Sequence, residues 1–129
     1  MREWIALILG SLLAVNGLVM LAAPADWYGL VPGVIDTGPF NPHFVRDIGC
    51  AYIAAGAALA WLFGRPAAWP AALAGAGFLV LHGLVHLWDM AAGRESLHHL
   101  PGDLVAIYAA AALAMWLAWP RRPIAEGDE

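Results

Sequence analysis

The chain has no lysine and a single cysteine, Cys50, and only 12% of its 129 residues are charged. Each scarcity excludes something. One cysteine rules out an intrachain disulfide and any Cys-x-x-Cys metal or redox motif. Six basic residues, all arginine and without a basic patch, leave nothing to neutralise a row of phosphates, so no nucleic-acid partner is expected. The net charge of −4 comes partly from Glu126-Gly127-Asp128-Glu129 and says nothing more. There is no phosphate loop, no Ser/His/Asp or Cys/His nucleophile arrangement, and no His-Glu-x-x-His of a zinc protease. No catalytic motif is present.

What fills the chain is apolar: 62% hydrophobic residues and a mean hydropathy of +0.70, outside the range of soluble domains. Four long apolar runs predict an all-α integral membrane four-helix bundle in one domain, with spans at about 4–23, 44–63, 68–90 and 103–119 and a disordered tail at 120–129. About twenty apolar residues suffice to cross a hydrocarbon core. Ala23-Pro24-Ala25 has the form of a signal-peptide cleavage site, but the run before it is long and interrupted by Asn16, so a retained helix is expected. Pro24 to Pro42, with four prolines and three glycines, reads as an irregular loop carrying interfacial Trp27 and Tyr28. The second run is rich in Ala and Gly, which lets helix backbones approach closely.

Arginine placement suggests orientation. With the N-terminus inside, Arg2, Arg65, Arg121 and Arg122 are cytoplasmic and Arg46 and Arg94 are not, which favours both termini in the cytoplasm. The histidines and most buried-span polar residues then gather at the periplasmic end. Two sequence echoes accompany this pattern. Asn16-Gly17-Leu18-Val19-Met20-Leu21 resembles His82-Gly83-Leu84-Val85-His86-Leu87, and His43, Asp47 and Tyr52 repeat the spacing of His99, Asp103 and Tyr108. Two duplicated helical hairpins would explain both.

His82, His86 and Asp89 share one helical stripe inside an apolar run, where polar groups are costly and mark a functional site or an interhelical hydrogen bond. Three readings stay open. Each imidazole bonds a neighbouring helix. Alternatively His82 and His86 chelate Cu or Zn, with Asp89, His43, His99 or Met20 completing the shell. Or the site holds a redox cofactor, haem or a quinone head group, contacted by Asn16, Met20, Tyr52 and Tyr108; a haem would need a second axial ligand such as Met20. In every case the pair should face inward, near at least two of Asn16, Met20, His43, Asp47, Asp89, His99 and Asp103. Asp47 and Asp103 are expected to favour helix starts, and Arg46 and Asp47 to pair at the surface.

The run His43-Phe44-Val45-Arg46-Asp47-Ile48-Gly49, with Tyr52 and the later His-x-x-x-His-x-x-Asp, resembles a group of small bacterial four-helix membrane proteins. The resemblance implies a multi-pass protein of the bacterial inner membrane and adds nothing on chemistry. A looser similarity to DoxX-type proteins rests on architecture. The functions expected are metal or redox-cofactor binding at the periplasmic end or, from a different class, an accessory membrane subunit that meets a partner protein or a second copy within the lipid bilayer. A small transporter or proton relay is disfavoured by the apolar inner halves of the helices.

Overall fold

The computed structural model describes residues 1–94 and 96–120, and the expected tail beyond 120, with Arg121 and Arg122, lies outside them. The described residues are all-helical, without strands. We number the helices α1 (Arg2–Ala22), α2 (Pro24–Leu30), α3 (Pro42–Ala60), α4 (Trp69–Ala91) and α5 (Leu97–Ala118). By length and composition α1, the run Pro66–Ala91 and α5 are long and apolar enough to cross a membrane. The second expected span is helical too, but it opens with His43, Arg46 and Asp47 and is not among those three.

Local chemistry explains the boundaries. Pro24 ends α1 and, with its fixed φ, starts α2 at the first helical position. The segment expected to be an irregular loop therefore contains a seven-residue helix and a 3₁₀ turn at Val34–Asp36. Asn41 caps α3, its side-chain oxygen accepting from the N–H groups of His43 (3.0 Å) and Phe44 (3.2 Å). Gly64 and Gly93, each at φ 70°, supply the left-handed turns that follow α3 and α4.

Each long helix packs antiparallel on its neighbours: α1 on α3, α3 on α4, α4 on α5, and α5 back on α1. The tightest of these is α1 on α3, where backbone meets backbone. A Cβ added to Gly10 would stand 2.5 Å from the Gly56 carbonyl oxygen, and one on Gly17 would collide with the Gly49 carbonyl oxygen and, at 2.8 Å, with Ile53. Gly49 and Gly56 return the contact against Met20, Ala14 and the facing glycines. Side chains of any size would force the axes apart, and without them dispersion contacts run along the whole seam. The apolar core includes Ala6, Leu13, Leu59, Ala72, Ala76, Leu79, Ala114 and Leu117, and among the described residues no charged or polar residue is buried as a whole.

Arginines close two helix ends. At one end, Arg2 donates to the carbonyl oxygens of Trp116 (2.5 Å), Leu117 (2.6 Å) and Trp119 (2.6 Å) and lies over the Trp116 ring. At the other, Arg46 Nε donates to the Leu21 carbonyl at 3.3 Å, instead of forming the expected pair with Asp47. In both cases a cation satisfies terminal carbonyls that have no helical donor and opposes the negative end of the helix dipole.

The echo between α1 and α4 extends to burial. Ala6, Gly10, Leu13 and Gly17 line the buried face of α1, and the positions that answer them, Ala72, Ala76, Leu79 and Gly83, are buried in α4. The agreement is poorer for α5. Its residues Leu104–Ala109 form a π-helical segment that α3 lacks, and Val105 and Ala112 stand where α3 has Gly49 and Gly56.

Replacing Gly17 or Gly56 by Leu should destabilise the purified protein by roughly 1–3 kcal/mol or more, the range for overpacking a filled interface. Gly77→Ala, where an added Cβ meets nothing within 4 Å, should be neutral or stabilising by about 0.4–1 kcal/mol. Thermal unfolding of the three variants against the parent chain checks the contrast.

Candidate functional site

His82 and His86 lie one turn apart on the half of α4 nearest Ala91, and both are half-buried. Their rings meet edge to face with centroids 4.9 Å apart. Toward the middle of α4, Phe78 stacks on His82 at 6.0 Å, so Phe78, His82 and His86 continue one stripe at successive helical turns. From α3, Tyr52 places its ring edge-on to both Phe78 (5.4 Å) and His82 (5.9 Å). Pairs of this geometry contribute about 0.5–1.5 kcal/mol beyond area burial for true aromatic rings. From α5, the Asp103 carboxylate approaches His86, with Oδ2 3.9 Å from Nδ1 and side-chain exposures of 15% and 19%. That separation is beyond direct hydrogen-bond length. The same Asp103 oxygen is fully buried and accepts no hydrogen bond among the described residues. Tyr108, also on α5, lays its ring against Gly83, where an added Cβ would be 3.4 Å from two ring carbons.

The elements deliver these groups for local reasons. Pro101 sits in the first turn of the α-helical stretch Leu100–Asp103 and takes over the helix start that Asp103 was expected to provide. Asp103 instead directs its carboxylate across to α4. The π-helical segment follows at once, and such segments change the angular spacing of side chains along a helix. Gly83, with no side chain, lets α5 bring Tyr108 up to the histidine-bearing stretch.

Most other residues expected around the pair are engaged elsewhere. Asn16 accepts from Trp27 Nε1 of α2 at 2.9 Å and donates to Met20 Sδ at 3.6 Å. Met20 is only 1% exposed and packs against Gly49 in the α1–α3 seam. His43 pairs with Asp47 along α3 at 3.3 Å, where both are solvent-exposed. Asp89 pairs with Arg94 at 3.1 Å, and His99 with Asp36 at 3.1 Å, closing the first loop onto the start of α5. The ligand set His82, His86, Asp89, His43, His99 and Met20 is thus distributed over separate contacts. Among the described residues no group of three or more His, Cys, Asp or Glu side chains is arranged to hold a metal ion. The cofactor set is divided as well: Tyr52 of α3 and Tyr108 of α5 pack against α4, at His82 and Gly83, whereas Asn16 and Met20 bond each other on α1.

Phe78 escaped the sequence reading of the site, and Asp103, expected near the pair, was given a different role. Phe78 stands four residues before His82 on the same stripe, a spacing that was available. Asp103 was read as a helix start because it follows Pro101-Gly102, and only the path of the chain through Leu97–Asp103 turns it toward His86.

Compared with known protein families, with curated proteins and with solved structures, the chain matches none.

The pairing of His86 with Asp103 is open to a double-mutant cycle. His86→Ala and Asp103→Ala should couple by roughly 0.5–2 kcal/mol in unfolding free energy, as contacting polar residues do. Additive effects would show that the two side chains do not interact.

Proposed function

We propose that the protein is a four-span integral membrane protein of the bacterial inner membrane, built from two related helical hairpins, with both termini cytoplasmic. In this reading its polar side chains lock the helices, and it serves as an accessory or structural subunit beside a membrane protein partner or a second copy. The observation that carries the reading is the way the polar groups are used. Asn16 bonds Trp27, His86 pairs with Asp103, His99 with Asp36, Arg46 with the end of α1, and Arg2 with the end of α5. A metal site aims several donors at one point. Here the donors are divided among contacts that join neighbouring elements.

Membrane insertion is supported by the outward faces. Ile8, Leu12 and Val15 of α1, Leu81, Leu84 and Val85 of α4, and Leu104 and Val105 of α5 are all exposed. In water such a surface promotes aggregation; in hydrocarbon it meets its own kind. The backbone groups inside the helices are satisfied within each helix, as lipid requires. α3, the least apolar of the long helices, lies between α1 and α4, where its Ala- and Gly-rich faces are covered.

One observation favours a second reading. The buried Asp103 oxygen without a hydrogen bond lies beside an imidazole, and a transition metal such as Cu or Zn drawn to His82, His86 and Asp103 would satisfy it. The two readings separate cleanly. Under the first, purified protein carries no stoichiometric metal, and His82→Ala and His86→Ala each lower stability by about 0.6–2 kcal/mol, the range of interhelical polar contacts in lipid. Elemental analysis finding Cu or Zn at one equivalent, lost in both variants, would replace the first reading by the second.

Orientation has its own measurement. A reporter active only in the cytoplasm, fused after Glu129, should be active, and a periplasm-specific reporter there should be silent.

A further inference from the structure

The end of the molecule opposite the histidines carries a groove of about 310 Å³ lined by Trp61, Arg65, Pro66, Ala67 and Ala68. Gly64, at φ 70°, turns the chain out of α3 so that Trp61 and Arg65 line the same groove. The arginine is what sets the groove apart. Arg2, Arg46 and Arg94 are each held by carbonyls or a carboxylate. Arg65 is exposed, and among the described residues its side chain makes no ion pair or hydrogen bond. The Glu3 carboxylate reaches this turn, where it accepts from the Gly64 N–H at 3.5 Å and is not paired with Arg65. Four tryptophans are exposed at this end of the helices: Trp4 (58% exposed), Trp61 (53%), Trp116 (52%) and Trp119 (62%), of which Trp61 lines the groove. Arg2, over the Trp116 ring and bonded to the Trp119 carbonyl, fixes the last two at the same end as Trp4.

We infer that this groove seats the anionic headgroup of a membrane phospholipid. The inference rests on the membrane reading above and adds a ligand to it. A guanidinium offers phosphate a planar fork of donors and is less strongly hydrated than an ammonium, which suits it to the headgroup layer. Tryptophan prefers the same layer, its ring against glycerol and the upper acyl chain. Basic recesses at helix ends on the cytoplasmic side recognise anionic headgroups in this way. A cation without a partner among the described residues, lining a recess beside Trp61 at an end of the helices rich in exposed tryptophan, matches that chemistry in charge and depth.

The test uses the full chain purified from membranes in a non-ionic detergent. Native mass spectrometry would count bound phosphatidylglycerol against phosphatidylcholine of the same acyl chains. The expected preference for phosphatidylglycerol is about fivefold, the effect of one basic residue at an anionic surface. It should vanish in Arg65→Gln, survive in Arg65→Lys at reduced strength, and be unchanged in Arg94→Gln at the opposite end. Preference retained by Arg65→Gln would overturn the assignment. So would displacement of the lipid by millimolar inorganic phosphate, which would make the groove a site for small anions. Recovery of the chain in the soluble fraction without detergent would defeat the membrane reading itself, a result distinct from loss of headgroup preference in a protein that does require detergent.

Discussion

The contact on which the rest of the structure depends is the approach of α1 to α3 through Gly10, Gly17, Gly49 and Gly56. Backbone atoms meet there with no side chain between them. Such closeness needs glycine at each crossing point, and it fixes more than one pair of helices. Met20 is sealed into the seam, Asn16 is left at its margin for Trp27 of α2, and Arg46 comes within reach of the Leu21 carbonyl. With one face of α3 committed to α1, its other small-residue face is left for α4, where a Cβ added to Gly75 would stand 2.9 Å from the Ala55 Cα. That second contact carries Tyr52 to His82.

The two helix pairs solve the same packing problem differently. In the first, glycine faces glycine and the backbones close up. In the second, α4 keeps Gly83 but α5 has Val105 and Ala112 where α3 has glycines, so an aromatic ring, Tyr108, fills the space against Gly83. The echoed residues diverge accordingly. His43 and Asp47 pair with each other on an exposed face, whereas His99 and Asp103 reach other elements, Asp36 and His86. A π-helical segment directly after Asp103 gives α5 a side-chain spacing that α3 does not have. Identical spacing in sequence therefore produced different partners.

The arginines show how one feature can serve two purposes. Their distribution suggested orientation by the positive-inside tendency. Arg2 and Arg46 also cap helix carbonyls, and Arg94 answers Asp89, so much of the positive charge has a structural task at the spot where it occurs. A cation at a helix C-terminus is favourable whichever side of a membrane it faces. Arg65 differs in having no such partner among the described residues.

Much of the architecture was legible in the chain itself. Apolar run length located three membrane-length helices and a fourth helix between them, because helix period and hydrocarbon thickness act through local composition alone. The stripe of His82 and His86 could be read for the same reason, since residues four apart on a helix share a face. The prolines of the first connection misled. Their density predicted irregular chain, but Pro24 occupies the one helical position where a missing N–H costs nothing, so α2 follows. Which polar groups meet was decided only by tertiary structure. His82, His86, His43, His99 and Asp89 cluster at one end by topology, yet side chains interact over a few ångströms, and helix rotation, the glycine seam and the π-helical segment set distances on that scale. Those constraints brought Asp103 and Tyr52 to the histidine stripe and sent Met20, Asn16, His43 and His99 to other partners, because a contact depends on the rotation and separation of two helices that no single stretch of sequence encodes.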